Sequence, residues 1–253
     1  YLLAKNVHVY GSFDPKNGVT TIEKRNILGD AKTIIEGNTN YHLIIAAGEE
    51  SSNSRFDGFQ LQNAHANASG KLKVRGHDID GDKGAGVYVV NNDSNKSTKV
   101  VLKNIIAKDN KAYERGGFIN ADKKGTEVTL VNAIVHNNQV TDGGDGGSAI
   151  FSNNDAKVKI LNSTIANNKN NGSNGGAVHV REEGSFDIYN SIIWNNHNKE
   201  GKLANMTGGE DNDFIVYNSI MNKGGNNGTD SHENGDNTGK INYLTYDPQF
   251  VDA

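Results

Sequence analysis

"YNSIIWNN", Tyr189 to Asn196, joins a strand-forming half to a turn-forming half. The chain repeats nearly the same phrase five times: "LKNIIAKDN" from Leu102, "LVNAIVHNN" from Leu130, "ILNSTIANN" from Ile160, "IYNSIIWNN" from Ile188 and "VYNSIMNKG" from Val216. The shared asparagine falls at Asn104, Asn132, Asn162, Asn190 and Asn218, in steps of 28, 30, 28 and 28 residues. A fixed period of this size sets the architecture, because each repeat buries its apolar face only by stacking on the next.

Four residues before each shared asparagine stand Val100, Val128, Val158, Phe186 and Phe214, and two before it Leu102, Leu130, Ile160, Ile188 and Val216. They alternate with Lys, Thr and Tyr, the period-two pattern of a half-buried strand. Ile106, Ile134, Thr164, Ile192 and Ile220 follow the bend and mark a second short strand. A third begins with small residues in "AGVYVVNN" (Ala85), "GGFINADK" (Gly116), "SAIFSNND" (Ser148) and "GAVHVREE" (Gly176). Three short strands per period and no helical pattern exclude TIM-barrel and Rossmann folds. Equivalent strands run the same way, so their sheets are parallel. The reading is all-β: one single-stranded parallel β-helix (β-solenoid) domain over 1–253, about 28 residues per rung, with aliphatic columns inside.

The asparagines then serve the bends, where the left-handed backbone suits Asn better than most residues. Stacked amides can also bond along the column, forming an Asn ladder at one bend. Asn110, Asn138, Asn168 and Asn196 recur six residues later as a second column that ends at Gly224. Gly37 and Gly58 stand where Asn later does, and the step of 46 from Gly58 to Asn104 places an inserted loop at 68–84. Residues 1–30 form a capping segment and first rung, with "YLLAKNVHVY" over the open strand edges. Residues 224–253, with the loop "DSHENGDN", form an irregular C-terminal end.

Net charge is -4 and the pI about 6.1, with no basic run, so nothing points to nucleic acid or an anionic membrane. Zero Cys excludes disulfides, thiolate metal sites and Cys nucleophiles. No apolar run is long enough to span a bilayer. The start at Tyr1 reads as a mature or excised chain, so a missing leader says nothing about secretion. A monomer is expected.

The "GGAV" start (Gly175 to Val178), the "NSIIWNN" bend and the opening "VYGSFD" (Val9 to Asp14) with Glu23 and Arg25 carry a family resemblance. The chain resembles secreted right-handed parallel β-helix proteins of the bacterial cell surface, similar to polymorphic outer-membrane-protein passengers and β-helix adhesins. Ser12 replaces a usual Gly. "DPQFVDA" (Asp247 to Ala253) resembles a segment preceding a C-terminal anchoring region in such proteins, which implies a longer natural chain. The resemblance implies a secreted or cell-surface location and a role in adhesion, through a polysaccharide, a host or bacterial surface glycan, or a protein. The same fold hosts pectate lyases and other polysaccharide enzymes, so a lyase or glycoside hydrolase is the alternative.

Asp78, Asp80 and Asp82 alternate in "HDIDGDKGAG" and resemble half of a calcium loop, without its sixth-position glycine or its final Glu. They are the candidate Ca²⁺ ligands; a plain solvated loop is the competing reading. "TDGGDGG" (Thr141 to Gly147) reads as a turn. The side of the third strand read as exposed carries Val89, Asn120, Phe151 and His179, then Asn91, Asp122, Asn153 and Arg181. Mixed aromatic and polar groups there suit a sugar chain; an ordinary solvated face is the bland reading. His179, Arg181 and Glu182 are the best acid/base cluster for an enzyme, but the carboxylate pair of a glycosidase is not discernible. The calcium carboxylates and catalytic Arg of pectate lyases, and the "GHG" of polygalacturonases, are missing. Trp194 aligns with Lys108 and His136 and reads as a surface or rim residue.

Overall fold

In the computed structural model the chain is a parallel β-solenoid of about 6 turns. The structure describes residues 1–27, 29, 32–37, 41–143, 145–173, 175–208, 213–222 and 241–244. "DSHENGDN", "DPQFVDA" and Gly224 lie outside the described residues.

Each regular turn has four strand segments. The first face stacks Thr126–Val131, Lys157–Leu161, Ser185–Tyr189 and Asp213–Tyr217 in parallel register. Beyond the shared asparagine, Ile134–His136, Thr164–Ala166, Ile192–Trp194 and Ser219–Asn222 form the second. Thr98–Lys108 crosses the bend unbroken and pairs with both. A third face holds two-residue strands such as Lys111–Ala112 and Gln139–Val140, too short to show in the sequence pattern. The fourth stacks Ile44–Ala47, Val87–Val90, Ile119–Asp122, Ile150–Asn153, Val178–Val180 and Met206–Thr207.

Alternation sorts the side chains. The columns Val100–Val128–Val158–Phe186–Phe214 and Leu102–Leu130–Ile160–Ile188–Val216 are buried in one core cluster. Phe186 and Phe214 stack at 5.6 Å between ring centroids. The shared asparagines adopt the left-handed backbone, with φ of 54°, 52°, 49°, 49° and 47° from Asn104 to Asn218. Gly58 stands at the same bend with φ 84°. Gly37 does not: it follows the register of Gln62 at the next corner, and the earlier bend falls at Gly11.

The bonded ladder belongs chiefly to the second asparagine column. Asn110, Asn138, Asn168 and Asn196 are fully buried. Each Nδ2 donates to the Oδ1 of the next rung, at 2.9 Å (Asn110 to Asn138), 3.0 Å (Asn138 to Asn168) and 3.0 Å (Asn168 to Asn196). Each also donates back to a carbonyl of the previous rung: Leu61, Ala107, Val135 and Ile165 in turn. The backbone N–H of Asn138 adds a third link, to Asn168 Oδ1 at 2.9 Å. The column continues through Asn205 to Asn222, at 3.0 and 2.8 Å. Buried amides so satisfied are stabilising, whereas unsatisfied ones cost free energy.

The bend column bonds side chain to side chain at its N-terminal end, where Asn104 is buried. Asn132 donates to Asn104 (2.6 Å), and Asn104 to Asp57 (2.7 Å). Asp57 is paired with Arg25 at 3.3 Å, and both side chains are buried. Arg25 also donates to the carbonyls of Gly11 and Asp57 and lies over the rings of Tyr10 and Phe13. Ser12, at φ 61°, takes the conformation a glycine would, and its hydroxyl donates to the Gly58 carbonyl. At this end Leu2 bridges Ile45, and Leu3 N–H donates to the Ile45 carbonyl.

Asn168→Ala strips acceptors from Asn138 and donors from Val135 and Ala166, and should lower unfolding free energy by about 3 kcal/mol or more. Asn162→Gly, at an exposed left-handed bend, should change it by less than about 1 kcal/mol. Urea titrations compare the two; equal costs would refute the assignment of the inner column as the structural one. Arg25→Met should cost about 3–5 kcal/mol by stranding the Asp57 charge, and adding Asp57→Asn should recover most of that.

Candidate functional site

The insertion at 68–84 is an antiparallel hairpin, Lys71–Val74 paired with His77–Asp80. Arg75 (φ 50°) and Gly76 (φ 79°) form its two-residue turn, both left-handed as a type I′ turn requires. Ile79, with Val74, packs on Ala47, Tyr88 and Val90, a small cluster separate from the solenoid core. The hairpin is therefore docked on the outer side of the fourth face and forms a wall there.

The column beneath it runs Ile45–Tyr88–Asn120–Phe151–His179–Thr207 in register. The aligned glycines Gly84, Gly116, Gly147 and Gly175 set it up. All have φ between 61° and 89°, and a Cβ at Gly116 would collide with the Ile119 carbonyl. Two sequence alignments shift by one residue as a result. Tyr88, not Val89, belongs to this column, and Val89 points into the core. Val90, not Asn91, stands opposite Asp122 and Asn153. Asn91 is instead a buried corner residue, donating to the carbonyls of Asp93, Lys96 and Lys124.

This side is not the open surface the sequence suggested. Phe151 is 0% exposed, Asn120 2%, Asn153 4% and His179 7%. Arg115 lies over the Phe151 ring at 5.0 Å, and His179 stacks on its neighbour at 5.2 Å. Asp145, from the glycine-rich turn, bonds both Arg115 and Arg181, the latter at 2.5 Å. Burial works to raise the Asp145 pKa, but the two guanidiniums outweigh it and hold the carboxyl below its ordinary range. Ion pairs extend the clamp into a chain: Arg181 to Glu182, Arg115 to Glu114, Glu114 to Lys83, Lys83 to Asp80, and Asp80 to Lys71.

Thr207 Oγ1 accepts from Gly176 N–H and lies 2.5 Å from His179 Nδ1. The other ring nitrogen, Nε2, is buried without a partner among the described residues. Burial, with smaller contributions from Arg181 and Arg115, pushes the His179 pKa down to about 4, against the opposing pull of Asp145. Trp194, also read as a rim residue, is 7% exposed and lies outside the main core cluster.

Beside the clamp opens a cleft of about 390 Å³. The hairpin contributes Lys71, Asp78 and Asp80, and the next rungs Asp122, Lys123, Asn153 and Asn154. Lys83, Arg115 and Glu182 complete its charged lining, which carries four cations and four carboxylates. His179 and Arg181 do not line it. Asp122 accepts from Asn153 (3.2 Å) and Asn154 (2.7 Å), while the Asn153 Oδ1 is buried without a donor among the described residues. Glu182 takes the left-handed backbone at φ 48°, an uncommon conformation for Glu.

The calcium candidates Asp78 and Asp80 line the cleft, each held by lysine. Asp78 is held by Lys73 at 2.9 Å, and Asp80 by Lys83 at 3.0 Å and Lys71 at 3.4 Å. Lys73 lowers the Asp78 pKa; for Asp80, burial raises it but the lysines prevail and it is lowered. Asp82 is raised by burial and does not line the cleft. Among the described residues no group of three or more His, Cys, Asp or Glu side chains could hold a metal ion, and no helix is long and apolar enough to cross a membrane.

The fold and cleft thus define a β-solenoid with a walled polar groove on one sheet. No family model matches the chain, and neither a curated protein nor a solved structure is significantly similar to it.

A pH prediction follows from His179. Its pKa is depressed when folded, so stability is fully present above about pH 6.5, the unfolded value, and falls as pH drops toward 4. The loss should be on the order of 3 kcal/mol. His179→Phe, which keeps the stack on Phe151, should flatten that part of the stability–pH curve; an unchanged slope would refute the assignment.

Proposed function

We propose that the protein is a secreted or bacterial cell-surface β-solenoid of the adhesin type that binds a neutral glycan in the 390 Å³ cleft without turning it over. The observation that carries this reading is the balanced lining. Four cations and four carboxylates, with amides between them, offer donors and acceptors but no net charge. A hydroxyl-rich neutral chain matches both kinds of group, whereas an acidic polymer would meet as many carboxylates as ammoniums. The parallel sheet and docked hairpin hold these groups in place, which limits the ordering cost of binding.

Binding is favoured over catalysis because of where the acid/base candidate lies. A general acid or base must reach the reacting group within hydrogen-bond range. His179 is buried behind the arginine clamp and does not line the cleft. Asp78 and Asp80 are ion-paired with lowered pKa values, the reverse of a proton donor near neutrality.

The test is an incubation of the purified protein with neutral and acidic polysaccharides, with and without calcium, reading bound polymer and released product together. Retained binding of a neutral polymer without product is the expected outcome. Asp122→Asn combined with Glu182→Gln should weaken it about tenfold, the loss of two hydrogen bonds. Product formation would move the assignment to a lyase or hydrolase. Antibody labelling of intact producing cells tests the surface location; labelling only after lysis would refute it.

A further inference from the structure

We propose a second binding site, on the outer side of the first face, where Arg55 receives the carboxylate of an acidic sugar. The place is a cleft of about 340 Å³. Its floor is one outward column: His8, Arg55, Val101 and Thr129 stand opposite one another on four successive strands. Lys99 and Glu127 flank it and are paired with each other at 2.9 Å.

Arg55 stands apart from the other arginines. The chain has five arginines. Arg25, Arg115 and Arg181 each hold a carboxylate. Arg75 donates to the Leu3 carbonyl and the Ser51 hydroxyl. Arg55 has no carboxylate and no side-chain hydrogen bond among the described residues, and its Nε is shielded from water with no acceptor. Arginine cannot shed its charge, so a desolvated N–H on it calls for an anionic acceptor. Lys99 and Glu127 cancel, leaving this cleft one uncancelled cation, where the first cleft has none.

The geometry selects a carboxylate on a partly apolar body. The planar guanidinium takes a carboxylate through two parallel N–H bonds. Val101 offers the carbon skeleton an apolar patch, and Thr129 offers a hydroxyl to a further oxygen. Glucuronate satisfies these demands and glucose lacks the essential one. The site shares no lining residue with the first cleft, so the two stand or fall separately.

The experiment titrates glucuronate, glucose and inorganic sulfate into the full chain, followed by calorimetry and by amide shifts of the His8–Tyr10 and Ser54–Gln62 strands. Glucuronate should bind, glucose should not, and Arg55→Met should weaken glucuronate at least tenfold. The Asp122→Asn/Glu182→Gln protein should bind glucuronate as the wild type does, even if the neutral-glycan reading fails. Because Arg55 has no partner to lose, Arg55→Met should leave the melting midpoint unchanged or raised. The proposal is overturned by glucose shifting the same amides equally, by sulfate binding as tightly as glucuronate, by undiminished binding to Arg55→Met, or by a clear drop in that variant's midpoint.

Discussion

The solenoid depends on one constraint: the polar corner of each rung is completed by the rungs on either side of it. The Asn138 backbone N–H finds its acceptor in Asn168, whose single oxygen also takes the Asn138 amide. Asn168 in turn waits for Asn196. Because the acceptors lie in the dry interior, a rung laid down out of register strands several buried donors at once. That penalty fixes register more tightly than the aliphatic columns can, since Val, Leu and Ile tolerate one another's places. At the N-terminal end Asn110 Oδ1 accepts the backbone N–H of Ala64, so the chain of amides starts from plain backbone. At the other end Asn205 reaches across from a different part of the rung, which lets the column run on to Asn222.

A register held this firmly tolerates length changes elsewhere, and the largest lies between the third and fourth faces. Between the third and fourth faces the chain inserts the hairpin after Ala66, the glycine-rich turn after Val140 and a shorter turn after Asn170. These insertions build what stands on the outer side of the fourth face. The hairpin supplies one wall of the cleft, and the turn supplies Asp145, which bridges Arg115 and Arg181. Asp145, Glu114 and Asp80 in that chain each meet two cations. Sharing partners lowers the cost of ordering each side chain and offsets part of the desolvation that makes isolated buried pairs unprofitable.

The period, the parallel sheets and the inward columns were legible because alternation and stacking both write themselves into every repeat. The left-handed bends were legible for the same reason. The two-residue third face was not, since two residues cannot show a period. The outer column at Asn120, Phe151 and His179 was found, but its burial was not. Alternation says which way a side chain points, not what lies over it. Arg115 lies over Phe151, and Asp145 ties it to Arg181, a cover that no repeat encodes. Asp145 was hidden in a run that reads as a plain turn, and Tyr88 was lost to a one-residue shift that the left-handed Gly84 would have corrected.

The two clefts differ in a way that follows from how charges are placed on a parallel stack. On the first face, residues opposite one another in adjacent rungs are close enough to pair, and Lys99 with Glu127 does so. Where the opposite residues are Val101 and His8, a guanidinium finds no counter-ion in its own column. On the fourth face the insertions bring acids to Lys71, Lys83, Arg115 and Arg181. A solenoid therefore sets the charge of each groove by a choice of side chain rung by rung, without disturbing the core on the other side of the strand. Arg55 points outward beside Ser54 and Phe56, which point in, so changing its charge leaves the interior columns untouched.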